Sequence, residues 1–268
     1  MKAVIMAGGS GTRLRPLTCD LPKPMVTVLN IPVMEHIINH LKRSGIEDIA
    51  VTTYYLPQKI KNYFENGEKW GVNLHYFQEN KPLGTAGSVQ NAAEFLDESF
   101  VVISGDAISD YNLNKAINFH KEMKAEATLL LAKVKVPLDY GIVIVDEKYK
   151  IKAFVEKPNW SQVFSDTVNT GIYILEPKIF DYYKKGINYD FSKDLFPLML
   201  KAGKALYGLP LDGYWNDIGS VSDYFKTNKD FLLGKINLVI NQAREVAKGI
   251  FLEDGVKIAN SAKIKAPS

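Results

Sequence analysis

A glycine-rich turn placed directly after a short apolar run constrains this chain more than any other feature. Ala3 to Met6 predicts a buried first strand. It leads into Ala7-Gly8-Gly9-Ser10-Gly11-Thr12-Arg13-Leu14-Arg15, with Pro22-Lys23-Pro24-Met25 close behind. Glycine has no Cβ to hold a ligand away from backbone N–H groups, so Gly8, Gly9 and Gly11 suit close approach of an anion. Arg13, Arg15 and Lys23 add fixed positive charge of the kind that cradles a polyphosphate. Taken alone, Gly-Gly-x-Gly is equally compatible with a bare structural loop.

The two familiar glycine motifs do not fit. A P-loop would end in Gly-Lys-Ser/Thr, and Gly11 is followed by Thr12-Arg13. A dinucleotide fingerprint needs a third glycine where Leu14 stands, which sets aside a nicotinamide oxidoreductase. A chain of 268 residues, 46% hydrophobic and 24% charged, is long enough for a full core and has ordinary globular composition. A net charge of +3 is too small to imply a nucleic-acid partner, so the positive charge reads as local to the glycine loop. Cys19 is the single cysteine, which excludes an internal disulfide and agrees with a reducing, cytoplasmic setting. It has no histidine nearby in sequence and reads as inert. The first apolar run is too short for a signal-peptide core, and no later run approaches the ~18 residues of a membrane span.

The rest of the first half alternates. Strands are predicted at 48–53, 74–78 and 100–104, and helices at 32–44, 57–65, 84–95 and 113–124. This alternation predicts an α/β, Rossmann-like, mostly parallel mixed sheet with helices on both faces. In such sheets ligands sit beyond the carboxyl ends of the strands, where the glycine loop, Gln78-Glu79 and Gly105-Asp106 fall. From Ala127 the pattern turns β-rich, with strands at 127–134, 142–145, 151–156, 168–175 and 206–210. Helices are predicted at 177–183, 192–201 and 220–233, the last with Tyr224 and Phe225 on its apolar side. Residues 1–233 therefore read as one domain and 234–268 as a linker and tail. In the tail Val256, Ala262 and Ser268, and likewise Ile258 and Ile264, recur every six residues, as at the start of a truncated or vestigial left-handed β-helix.

Asp106 follows a buried strand, and a second carboxylate, Asp217, lies in Gly213-Tyr214-Trp215-Asn216-Asp217-Ile218-Gly219. Each alone reads as a turn former or helix cap. Beside an arginine-bearing glycine loop, the two together suit Mg²⁺, which takes one or two carboxylates and completes its shell with phosphate and water. Glu156-Lys157, Asn169 and Tyr140-Gly141 offer the carboxylate, amide and glycine that hold sugar hydroxyls, with a lysine for a phosphate. His36, His40, His75 and His120 are scattered and read as surface or core fillers. Nucleotidyl transfer needs positioning, positive charge and a metal rather than a covalent nucleophile.

These motifs, with Leu83-Gly84-Thr85-Ala86-Gly87 and Asn169-Thr170-Gly171, resemble in order those of the sugar-1-phosphate nucleotidylyltransferases over Met1 to about Leu233. Within that family the pattern is most similar to the mannose-1-phosphate guanylyltransferase branch. Thymidylyl- and uridylyltransferases acting on glucose 1-phosphate share much of it. The resemblance implies a Rossmann-like nucleotide domain with a β-rich sugar-binding insertion, often followed by a β-helix. It also implies joining of a nucleoside triphosphate to a sugar 1-phosphate with release of pyrophosphate, in a cytoplasmic homo-oligomer without nucleic-acid or membrane partners. By similarity Arg13, Lys23, Asp106 and Asp217 are catalytic, the two aspartates as Mg²⁺ ligands. Ala7, Gly8, Gly9, Gly11, Thr12, Gln78, Gly84, Thr85 and Gly105 would bind nucleotide, and Tyr140, Gly141, Glu156, Lys157 and Asn169 the sugar phosphate. A catalytically silent, nucleotide-sugar-sensing subunit would be expected to lack Arg13, Lys23, Asp106 or Asp217, and all four are present.

Overall fold

The computed structural model describes residues 1–238 and 243–268. Among the described residues, fifteen strands and six α-helices follow one another as β1 (Lys2–Ala7), β2 (Thr27–Val28), β3 (Ile31–Pro32), α1 (Val33–Arg43), β4 (Asp48–Thr53), α2 (Pro57–Phe64), β5 (Asn73–Gln78) and α3 (Gly84–Gln90). Next come β6 (Phe100–Ser104), β7 (Ala107–Ser109), α4 (Leu113–Glu122), β8 (Ala127–Lys133), β9 (Gly141–Val145), β10 (Ile151–Glu156) and β11 (Thr167–Leu175). The chain closes with α5 (Phe196–Lys201), β12 (Leu206–Pro210), β13 (Trp215–Asp217), α6 (Val221–Leu232), β14 (Ala243–Ala247) and β15 (Ile250–Glu253).

A nine-stranded mixed sheet forms the centre, ordered β10-β9-β11-β6-β1-β4-β5, with β8 on β11 and β12 on β8. Its first half is parallel, β6, β1, β4 and β5 running together with Val4 opposite both Ala50 and Val102. Its second half turns antiparallel at β11, which pairs with β6, β8 and β9. Alternation along β1 explains why both faces must be covered. Ala3, Ile5 and Ala7 enter one core with Ile37 and Leu41 of α1, Ile60 of α2, Ile117 of α4 and Phe231 of α6. Val4 points the other way, into a second core with Val89 of α3 and with Phe191, Phe196 and Met199. Among the described residues, no helix is long and apolar enough to cross a membrane.

Three expectations change. The helix predicted to reach Phe95 ends at Gln90, and the chain continues to Phe95 in hydrogen-bonded turns. Phe225 is 67% exposed rather than on the packed side of α6, where Tyr224 and Phe231 meet the core. The tail does not form solenoid rungs: β14 and β15 pair as an antiparallel hairpin, and no strand follows Glu253. Val256, Ile258 and Ile264 stay 52%, 45% and 38% exposed. Ser268 does return to the hairpin, its N–H donating to the Gly249 carbonyl and its carbonyl accepting from Phe251. Within the predicted linker, residues 239–242 lie outside the described residues.

Candidate active site

The carboxyl ends of β1, β4, β5 and β6 open into a cavity of about 310 Å³ lined by Gly8, Gly9, Tyr54, Glu79, Leu83, Gly84, Thr85, Ser88, Ser104, Asp106 and Asp190. Parallel strands all end on one side, so four separate loops converge there. Ala7 is buried as the last residue of β1, and Gly105 donates its N–H to the Met6 carbonyl, which ties the two loops together at the cavity floor. Gly11 begins the single turn Thr12–Leu14 in the left-handed conformation, with φ +63°. Thr12 and Arg13 are exposed on that turn, and neither lines the cavity.

Gln78 also lies outside it. The last residue of β5 is exposed, and its backbone carbonyl accepts a bond from Asn91. Glu79 lines the cavity instead, at 6% exposure. One of its carboxylate oxygens accepts from Ser88 Oγ at 2.6 Å and the other from the Leu83 N–H at 3.2 Å. A carboxylate has about four acceptor positions, so this buried one keeps capacity for a ligand.

Beside the cavity the structure gathers three residues that are far apart in sequence. Lys23 Nζ lies 2.5 Å from Asp106 Oδ2 and 3.3 Å from Asp217 Oδ1. Lys23 arrives on the turn Lys23–Met25, and Asp106 arrives between β6 and β7. Asp217 ends β13, which pairs antiparallel with β7 so that Asp217 stands opposite Ala107. Ser104 Oγ donates to the other oxygen of Asp106.

Burial would lower the Lys23 ammonium, but the Asp106 and Asp217 charges outweigh it and hold it above its ordinary value. Burial likewise opposes ionisation of Asp106, yet the Lys23 charge and its hydrogen bond keep that carboxyl low. Asp217 goes the other way, pushed up to about 6 by burial and by Asp106, with Lys23 and Arg13 opposing. Two carboxylates thus share one buried ammonium, and the pair is short of positive charge. That deficit fits a divalent cation. Arg13 reaches the same side: its guanidinium passes Gly219, where a Cβ would stand 3.7 Å from Nη1.

The residues of the predicted sugar side come from the antiparallel half. Glu156 ends β10 directly opposite Gly141 at the start of β9. A Cβ at Gly141 would come within 2.7 Å of Glu156 Oε2, so only glycine leaves that carboxylate its place. Glu156 is half-buried and its carboxyl is raised by burial first, then by the charge of Asp190. Lys157 is exposed and donates its N–H to the Tyr140 carbonyl at 3.0 Å. Tyr140 packs edge-on against Trp215, whose indole N–H bonds the Thr170 carbonyl. Asn169 is buried, donating to Tyr173 Oη at 2.9 Å and Ser192 Oγ at 3.1 Å. Asp190 and Ser192 are not among the sequence-predicted site residues; the sequence predicts only a helix start at Ser192.

A doubly covered α/β sheet with a strand-end cavity, an arginine-bearing glycine loop and a lysine-bridged carboxylate pair defines a class of phosphate-handling nucleotide enzyme. The chain belongs to the nucleotidyl transferase family, whose profile matches residues 2–233. It is 38% identical to a UTP–glucose-1-phosphate uridylyltransferase of Synechocystis, over 97% of this chain and 70% of that one. It is 40% identical to a mannose-1-phosphate guanyltransferase of Yarrowia lipolytica, over 84% of this chain and 62% of the relative. The chain thus spans about two thirds of the length of these curated relatives. Among solved structures, HddC from Yersinia pseudotuberculosis complexed with GMP-PN superposes with a TM-score of 0.73 at 28% identity, covering 86% of this chain and 99% of that one.

Proposed function

We propose that the protein joins GTP and mannose 1-phosphate into GDP-mannose with release of pyrophosphate. The observation that carries the reaction class to these residues is the convergence of Lys23, Asp106 and Asp217 beside the glycine-lined cavity. Gly8, Gly9, Gly84 and Thr85 hold the nucleotide, and Tyr140, Gly141, Glu156, Lys157 and Asn169 hold the sugar phosphate. Asp106 and Asp217 would hold Mg²⁺, which supplies charge neutralisation on phosphate oxygens. A sugar-phosphate oxygen attacks the α-phosphorus, the bond to the pyrophosphate oxygen breaks, and pyrophosphate leaves with its electron pair. Lys23 balances charge at the α-phosphate, and Arg13 at the departing pyrophosphate. No enzyme nucleophile takes part.

The choice of guanine rests on Glu79. A buried carboxylate is complementary to the adjacent N1–H and N2–H₂ donors of guanine. Uracil and thymine offer one N–H flanked by two carbonyl oxygens, which a carboxylate repels. The mannose assignment rests on the guanylyltransferase relatives, at 40% and 31% identity. Phosphorus NMR of the protein with GTP, mannose 1-phosphate and Mg²⁺ should show the paired diphosphate resonances of a nucleotide-sugar together with pyrophosphate. Hydrolysis to GMP, or tight binding without conversion, would contradict the reading, the latter in favour of a sensing subunit.

A further inference from the structure

The segment Ile187–Ser192 lies across the start of α3, remote in sequence, and binds it through the backbone. The Tyr189 carbonyl accepts the N–H groups of Ala86 at 2.9 Å and Gly87 at 3.0 Å, and Tyr189 N–H donates to the Leu83 carbonyl at 2.8 Å. The first N–H groups of a helix have no partner within it, and α3 has no side-chain cap, so a distant carbonyl serves in its place. The contact is intimate: a Cβ on Gly84, whose φ is +70°, would come within 2.6 Å of that carbonyl oxygen.

Asp190 extends this joint in both directions. Its Oδ2 accepts from Thr85 Oγ1 at 2.9 Å, and Thr85 Oγ1 in turn accepts the Phe191 N–H at 2.9 Å. Its Oδ1 accepts the N–H groups of Ser192 at 2.9 Å and Lys193 at 3.2 Å, which caps the turn Phe191–Leu195. Ser192 Oγ then receives the Asn169 amide at 3.1 Å. The chain of bonds runs from Thr85 on the nucleotide cavity, through Asp190, to Asn169 among the sugar-side residues. Three donors occupy the Asp190 carboxylate, so it is held as a structural pivot while one edge still lines the cavity.

We propose that Asp190 is a positioning residue that fixes the nucleotide and sugar-phosphate subsites relative to one another. In-line transfer depends on the attacking oxygen and the α-phosphorus being held in a narrow geometry, and a misplacement of about 1 Å can cost on the order of 100-fold in rate. The joint sets that geometry. The inference rests on the two subsites assigned above but not on which base or sugar fills them.

The test compares Thr85→Val, Thr85→Ser, Asp190→Ala and the double Thr85→Val/Asp190→Ala, using whichever substrate pair the wild-type protein turns over fastest. Thr85→Val should lower kcat by about tenfold to 100-fold, with both KM values changing less than about threefold. Thr85→Ser should restore kcat, and the double variant should be no slower than Asp190→Ala, because both changes break one joint. Losses that multiply, equal behaviour of Val and Ser at 85, or an effect confined to the nucleotide KM would overturn the proposal. Hydrogen exchange supplies a readout independent of turnover and of the Asp190→Ala fold. The nucleoside triphosphate that the wild type binds most tightly, added alone, should protect the amides of Ser192 and Lys193 in the wild type and Thr85→Ser but not in Thr85→Val, and equal protection in all three would refute the joint. A wild-type protein with no turnover but this exchange pattern would sink the proposed reaction and leave the joint standing.

Discussion

The two halves of the central sheet build their parts of the site by different means. In the parallel half, four strand ends deliver loops to one cavity, where Gly8, Gly9 and Gly84 stand among the side chains of Tyr54, Thr85, Ser88 and the buried carboxylate Glu79. In the antiparallel half, β9, β10 and β11 deliver side chains: Glu156 against Gly141, and Asn169 toward Ser192. Parallel strands can only present their ends to a ligand, whereas an antiparallel set can present a face near its end. On the proposed function, nucleotide binding and base choice belong to the first half and sugar choice to the second. Lys23, Asp106 and Asp217 lie where the halves meet.

The largest expected effect falls at that meeting point. Asp217→Asn should lower kcat by about 10²- to 10³-fold, the scale of losing one preorganised electrostatic group, while GTP binding without metal persists. Near-normal turnover would remove Asp217 from the chemistry.

Stability should depend on pH through the buried histidines of both halves. His40 on α1 is buried against the parallel half, and burial pushes it down to about 4 despite the nearby Asp110. The imidazole is neutral in the fold, while the unfolded chain takes up a proton below about pH 6.5. Stability is therefore lost as pH falls from about 6.5 toward 4, by up to about 3 kcal/mol from this group. His36 and His120, also lowered by burial, add in the same direction. Urea melts of the wild type and His40→Gln across this range should diverge, with the variant flatter. Parallel profiles would mean that His40 is protonated in the fold.

Gly141→Ala should act on the second half alone. Its Cβ meets both Glu156 Oε2 and the Phe154 ring carbon Cζ at 2.7 Å; the carboxylate can swing aside, and overpacking against the ring costs about 1–3 kcal/mol. The KM for the sugar 1-phosphate should rise about tenfold or more, with nucleotide affinity unchanged, as titration calorimetry would show. A matching loss of nucleotide affinity would break the division between the halves.

How far the sequence revealed these halves follows from physical range. Strands at Asp48–Thr53, Phe100–Ser104, Ile151–Glu156 and Leu206–Pro210 match their predicted bounds, because a buried strand is a local apolar run between turn formers. The helix after Gly84 is shorter than its pattern predicts, because Ala92 and Leu96, though buried, continue a helical spacing that the backbone abandons for turns. Phe225 faces outward because two adjacent aromatics cannot share one helix face, and Tyr224 takes the inner position. Gln78 and Glu79 are neighbours at a strand end, and which one turns inward depends on where the strand stops pairing. Asp190 carries no local signal, since its partners, Thr85 and the sugar-side strands, are distant in sequence. The tail rhythm is legible, but it does not reveal that Ala243–Ala247 and Ile250–Glu253 pair as an antiparallel hairpin.

On the proposed function, base choice resides in Glu79 and sugar choice elsewhere. Pyrophosphate release with Mg²⁺ should be measured for GTP, ITP, UTP, dTTP, CTP and ATP against mannose, glucose and N-acetylglucosamine 1-phosphates, for the wild type and Glu79→Gln. The wild type should be fastest with GTP and mannose 1-phosphate. Glu79→Gln should lose about tenfold to 100-fold with GTP, the worth of charge-assisted hydrogen bonds, and lose its preference for GTP over ITP, while the ranking of sugars stays fixed. A wild-type maximum at UTP with glucose 1-phosphate, or a Glu79→Gln variant whose sugar ranking moves with its base ranking, would contradict the account.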